Sequence, residues 1–209
     1  MRPDLAVVSH LVPPGSHVLD LGCGDGALLA DLARHGCTGT GVDTDPDSVV
    51  AAIGRGVPVI ELDMDTQLGE FADGSYDVVV VSQTLQAVRH PAGVLREVAR
   101  IAGRGIVSVP NFGLWRHRVD LALRGRMPVS AALPHPWWDT PNIHLATLSD
   151  LEDLFDAESF VVEERVLLGS DARPLAAVRR RGPANLLAAG AIYRIAATDR
   201  PSARLSDHA

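Results

Sequence analysis

The residues best placed to do chemistry are a run of glycines and three acids that recur at matching positions. Asp20-Leu21-Gly22-Cys23-Gly24-Asp25-Gly26 follows the apolar stretch Val18-Leu19. Glycines at 22, 24 and 26 let the backbone turn tightly and approach a ligand closely, because no Cβ intrudes. A helix that starts just after them aims its first N–H groups at the same place. Asp43 closes the stretch that begins at Thr38, and Asp63 closes the one that begins at Val57. Loops of this kind cradle nucleotide-like ligands. The glycines alone leave two ligand classes open, since Gly22-x-Gly24-x-x-Ala27 also satisfies the dinucleotide pattern.

The acids narrow the choice. Asp20 stands two residues before the first glycine, where a carboxylate repels a pyrophosphate and attracts a ligand carrying an ammonium and a sulfonium. Asp25 adds negative charge in the loop itself. Asp43 can accept from both ribose hydroxyls, which suits either ligand class. Asp63 can accept from an exocyclic adenine amine, with Met64 beside it to pack on the ring. Any one of these acids alone reads equally well as a turn cap. All three together with the glycine loop predict a site for S-adenosylmethionine, or its demethylated product S-adenosylhomocysteine. Asp20, Gly22, Cys23, Gly24, Gly26, Asp43, Asp63 and Met64 would form it. Cys23 reads as a small residue fitted between glycines; a nucleophilic thiol needs a neighbouring base, and none is evident.

These residues need a scaffold that brings strand ends together. Apolar runs alternate with helical patterns, which predicts a parallel sheet covered on both faces. A helix is expected over 4–12 and strands over 17–21, 38–43, 57–63, 76–81 and 104–109. Helices are expected over 27–34, from Pro46, and over 91–102. The β-branched run Val78-Val79-Val80-Val81 suits a central strand buried on both faces. Residues 111–143 hold all three tryptophans and read as an insertion over the carboxyl edge of the sheet, with a helix near 115–124. A helix over 149–157 is expected to start at Ser149, with Glu152 completing a capping box. Strands over 160–168 and 185–197 end the fold. The arginine-rich 171–183 segment reads as a loop and 199–209 as a frayed tail. The expectation is one domain over 1–198.

Composition sets limits. A net charge of -7 disfavours nucleic acid, which needs a positive surface. There is no lysine, so Schiff-base and P-loop lysine chemistry are excluded. Two cysteines, Cys23 and Cys37, form neither a Cys-based metal site nor a disulfide framework; no metal is expected, and the usage suits a reducing cytoplasm. No apolar run approaches the roughly 20 residues that span a bilayer.

Val18–Gly26, then Gly41-Val42-Asp43, then Tyr76-Asp77 opening an apolar strand, resemble class I S-adenosylmethionine-dependent methyltransferases. More specific are Ser82-Gln83-Thr84-Leu85-Gln86, Ser108-Val109-Pro110-Asn111-Phe112-Gly113-Leu114-Trp115, Gly125-Arg126-Met127-Pro128 and Trp138-Asp139-Thr140-Pro141-Asn142-Ile143-His144-Leu145. These resemble the methionine biosynthesis protein MetW family over most of residues 1–197. The resemblance implies a Rossmann-like α/β fold of the class I methyltransferase type. Its sheet is mostly parallel and seven-stranded, helices cover both faces, five parallel strands are joined by an antiparallel one, and an insertion follows strand five. It adds Gln83 to the cofactor residues. It also implies a protein partner, homoserine O-acyltransferase, that needs this protein or is regulated by it.

The competing expectation is an active methyltransferase on a small-molecule acceptor. Its acceptor pocket would be lined by Gln83, Asn111, Trp115, Asp139, Asn142 and His144. His144 is the general-base candidate by its ordinary pKa; the alternative is a structural hydrogen bond that fixes the insertion. Trp115, Trp137 and Trp138, with Arg116, Arg118, Arg124 and Arg126 nearby, either pack the insertion onto the sheet or form a partner surface. Arg179-Arg180-Arg181 reads as a solvated loop.

Overall fold

The computed structural model describes residues 2–175 and 181–198. Its elements run α1 (Pro3–Leu11), β1 (His17–Leu21), α2 (Ala27–Arg34), β2 (Thr38–Asp43), α3 (Pro46–Gly54), β3 (Val59–Glu61), a single 3-10 turn (Leu68–Glu70), β4 (Val78–Ser82), α4 (Pro91–Ile101), β5 (Arg104–Pro110), α5 (Trp115–Arg124), α6 (Leu148–Ala157), β6 (Phe160–Leu168), α7 (Arg181–Leu187) and β7 (Gly190–Ala197).

All seven strands join one sheet in the order β3-β2-β1-β4-β5-β7-β6. β1 to β5 pair in parallel. β7 runs antiparallel to both β5 and β6, so β6 points the same way as the first five. The chain leaves β1 towards one edge and returns to build the other from β4. Their carboxyl ends therefore flank the reversal point at which open α/β sheets bind ligands.

The alternation along β1 and β4 explains burial on both faces. Leu19, Leu21, Val79 and Val81 join a core layer with α4, α6 and Tyr193. Val18, Val78 and Val80 point the other way, into a layer with α1, α2 and α3. Side chains two apart share a face, so one valine run feeds both layers. α1 is tied to this second layer by a polar bond, in which Ser9 Oγ donates to Asp31 Oδ2 at 2.8 Å.

Several expectations are corrected. β3 is only Val59–Glu61, an edge strand paired on one side. β7 starts at Gly190, not at 185, because 181–187 form α7 and send Ala184 and Ala188 into the core. The cap of α6 is Thr147, not Ser149: Asp150 N donates to Thr147 Oγ1 at 3.3 Å and Thr147 N donates to Asp150 Oδ2 at 2.9 Å. Glu152 points inward instead, accepting from Arg165 Nη1 at 2.8 Å and Tyr193 Oη at 2.9 Å. Among the described residues, no helix is long and apolar enough to cross a membrane. Arg179 and Arg180 of the basic run, and the expected tail 199–209, lie outside the described residues.

Candidate functional site

The loop between β1 and α2 has a reason for each glycine. Gly22, Gly24 and Gly26 take φ of +75°, +54° and +72°, the left-handed region that side chains disfavour. A Cβ on Gly22 would also meet Thr84 Oγ1 at 2.3 Å, whereas one on Gly24 would meet nothing within 4 Å. Gly24 thus faces open space, and Gly22 is where the loops after β1 and β4 touch. Cys23 fits in its own slot: its Sγ occupies the space left by Gly41, where a Cβ would stand 2.5 Å away. Burial, with Asp20 and Asp43 close by, pushes its thiol up to about 12, so it is no nucleophile at neutral pH.

Asp43 closes the loop from below. Its Oδ2 accepts from Gly24 N at 2.8 Å and its Oδ1 from Asp45 N at 3.0 Å. A carboxylate has further lone pairs, so a ribose can still be received. Asp25 does not add free negative charge, because Arg55 pairs with it.

Asp20 is the unusual group. It is 2% exposed, and no described residue hydrogen-bonds its carboxylate. Burial first, then the nearby Asp43, raises its pKa to about 7, with Arg2 pulling the other way. A buried acid without a donor is costly and matches a ligand that brings an ammonium.

A cavity of about 630 Å³ opens here, bounded by Asp20, Gly22, Cys23, Gly24, Gln83 and Arg2. Gln83 is held at φ +58°, rare for a residue with a side chain, by bonds from its N–H to Ser108 O at 2.9 Å and Ser108 Oγ at 3.0 Å. The structure thus brings five of the predicted cofactor residues onto one wall. Gly26 instead caps α2, and Asp43 stands behind the loop. Asp63 is exposed and accepts from Asp65 N at 2.9 Å, and Met64 is buried in the core layer with Leu62 and Leu85; neither borders this cavity. Arg2, which does, carries no sequence signal beyond its charge.

The expected acceptor residues divide. Gln83 and Asn142 border a second cavity of about 450 Å³ that shares Arg2 with the first. His144 borders a smaller apolar pocket of about 210 Å³; its ring has no hydrogen bond among the described residues, while its backbone N–H donates to Gln86 O at 3.0 Å. Asn111 is fully buried. It donates to Asn185 O and Ala188 O, both at 2.8 Å, and accepts from Gly113 N at 2.8 Å and Leu148 N at 3.3 Å. It is a structural pin between the end of β5 and α7, not a pocket wall. Trp115 and Asp139 border none of these cavities. The tryptophans do not anchor the insertion to the sheet: Trp137 and Trp138 are 68% and 73% exposed. Among the described residues, no three histidine, cysteine, aspartate or glutamate side chains converge as metal ligands.

Comparison with known proteins gives a consistent answer. A family model described as methionine biosynthesis protein MetW matches residues 2–195. A bifunctional methionine biosynthesis protein MetXA/MetW of Rhodopirellula baltica is 34% identical over 181 residues, 82% of this chain and 29% of that one; this chain therefore spans less than a third of that relative. Among solved structures, a SAM-dependent methyltransferase of Thermotoga maritima superposes with a TM-score of 0.66 at 20% identity, over 93% of this chain and 87% of the other. The magnesium protoporphyrin IX methyltransferase of Synechocystis PCC 6803, with bound SAH, gives 0.64 at 17% identity, over 93% and 80%. The fold is thus the Rossmann-like class I methyltransferase fold.

Proposed function

The chain belongs to the methionine biosynthesis protein MetW family, and from that premise we propose that it is a cytoplasmic, S-adenosylmethionine-binding partner required by or regulating homoserine O-acyltransferase. The observation that carries the partner reading is the relative whose name joins MetXA to MetW in one bifunctional chain; the family resemblance identifies the acyltransferase as the other half. Two proteins that work as a lasting complex gain from covalent linkage, because it raises their effective concentration. The insertion supplies a surface for such a contact. Leu123, Trp137 and Trp138 are 81%, 68% and 73% exposed, and large exposed apolar side chains rimmed by arginine mark interaction sites.

The cradle fits the cofactor on its own chemistry. Asp20 would receive the ammonium, the Gly22–Gly24 backbone the rest of the methionine end, and Asp43 the ribose hydroxyls. Bound cofactor would supply an activated methyl group. In this reading it also reports the state of the pathway, if its binding changes the affinity for the acyltransferase. Asp43→Ala should weaken S-adenosylhomocysteine by about 1–3 kcal/mol by calorimetry, since ribose bonds and the Gly24 tether go together; unchanged affinity removes Asp43 from the site.

The test of the partnership is direct. The purified protein is mixed with the homoserine O-acyltransferase, and acyl transfer to homoserine is followed with and without S-adenosylmethionine. A change in rate or a stable complex is expected. No complex and no change in rate would sink the proposal. The second reading, a methyltransferase on a small molecule, is favoured by one observation, the cavity that meets the cradle at Gln83 and Arg2. Methyl transfer needs mainly alignment, which a pocket there would provide.

A further inference from the structure

The second cavity has a chemical character of its own. It lies over the carboxyl ends of the central strands, bordered by Gln83 after β4, Pro110 at the end of β5 and Gly190 at the start of β7. Two buried acceptors border it. Asp4, on the first turn of α1, is 5% exposed. Its carboxylate has a single partner among the described residues, a long ion pair with Arg2 Nη2 at 3.4 Å, which leaves most of its lone pairs free to accept. Gln86 is 7% exposed; its amide donates to Gln83 O at 2.7 Å, and its Oε1 is buried without a partner among the described residues. Buried polar atoms are nearly always paired, so an orphan of this kind needs an explanation.

The spare capacity of Asp4 and the orphan Oε1 of Gln86 both accept and neither donates. The missing partner is therefore a donor, and beside a carboxylate the best donor is a cation with several N–H bonds. The remaining wall is small and apolar, with Ala132, Pro134, Pro141 and Leu168, which suits a short uncharged chain. Arg2 borders the same cavity and offers a charge to an anion. We propose that this cavity binds a small α-amino acid, its ammonium between Asp4 and Gln86 and its carboxylate towards Arg2. This goes beyond the cofactor and partner readings and depends on neither. The ligand would lie beside the cofactor cradle, where it meets Gln83, and under the insertion, whose Ile143 and His144 N–H groups both donate to Gln86 O at 3.0 Å.

L-methionine and its deaminated analogue, methylthio-butanoate, serve as probes. Each is titrated into the full chain saturated with S-adenosylhomocysteine, so that the cradle cannot take the amino acid itself. Methionine should bind, and the analogue should bind at least about tenfold more weakly, because it lacks the ammonium. Asp4→Asn and Gln86→Met should each weaken methionine by about tenfold or more and leave S-adenosylhomocysteine affinity unchanged. If Asp4→Asn does not fold, Gln86→Met decides alone. No binding at about 10 mM methionine, equal binding of both probes, or a folded variant with unchanged methionine affinity overturns the proposal. A failure of S-adenosylhomocysteine to bind at all would count against the cofactor reading only; the methionine titrations, repeated in the Asp20→Asn background, would still decide this one.

Discussion

Affinity for S-adenosylmethionine should rise about tenfold per unit as the pH climbs towards about 7 and level off above it, and Asp20→Asn should abolish that slope. The cause is the raised pKa of Asp20, pushed up to about 7 by burial and by Asp43. A cationic ligand needs the carboxylate, so below pH 7 binding must first expel a proton, and the cost grows as pH falls. Calorimetry between pH 5.5 and 8.5 in two buffers of different ionisation enthalpy measures both affinity and the proton released. A flat profile in the wild-type protein would remove Asp20 from the ligand. The same shift has the opposite sign for the free protein. The unfolded chain ionises near 3.8 and the folded one near 7. Between these values the folded state holds the extra proton, so stability falls as pH rises, and the loss is complete above pH 7. Asp20→Asn should accordingly melt at a higher temperature than the wild type at pH 8 while binding ligand far more weakly. Stability surrendered at a binding site in this way is a common trade.

Glu152→Ala should cost about 3–5 kcal/mol and lower Tm by roughly 6–20 °C for a chain of this size. Glu152 is buried, and it binds both Arg165 on β6, at 2.8 Å, and the hydroxyl of Tyr193 on β7, at 2.9 Å. Its removal takes a buried countercharge from Arg165 and an acceptor from the Tyr193 phenol, in the layer where Phe155 stacks edge-on against Tyr193 at 5.4 Å between centroids. Burial and the Glu152 charge push the phenol's pKa well up, so it remains a donor throughout the physiological range. Replacing both members of the pair by apolar residues, Glu152→Leu with Arg165→Met, should recover much of the loss, because a desolvated ion pair adds little beyond filling its space. Thermal unfolding of the two variants checks both statements. A drop of less than about 2 °C for the single variant would show that the pair contributes nothing to the layer.

Much of the frame is readable locally. The strands at 17–21, 38–43 and 160–168, and the helices at 27–34 and 115–124, sit where periodicity places them, because period and punctuation depend on near neighbours. The glycines at 22, 24 and 26 likewise announce positive φ, which few other residues tolerate. Local signals mislead where two candidates compete within a turn. Thr147 and Ser149 are both capable caps, and only the burial of Glu152 against β6 and β7 decides between them. Asn185 looks like the start of a strand until Asn111 after β5 and Leu148 at the start of α6, 74 and 37 residues away in the chain, fasten it into α7.

The sequence by itself determined the alternating α/β frame, the glycine turn and the acids at three successive strand ends, since each follows from residue types a few positions apart. Only the tertiary structure decided that Asp20 is buried without a donor among the described residues, that Arg55 neutralises Asp25, that Asp43, Asp63 and Met64 do not border the cavity beside the glycine loop, and that Arg2, Asp4 and Gln86 share a wall. Burial and unmet hydrogen bonds are properties of what surrounds a group, and here the surroundings come from α1, the loop after β4 and the insertion, brought together only when the sheet closes around β1 and β4.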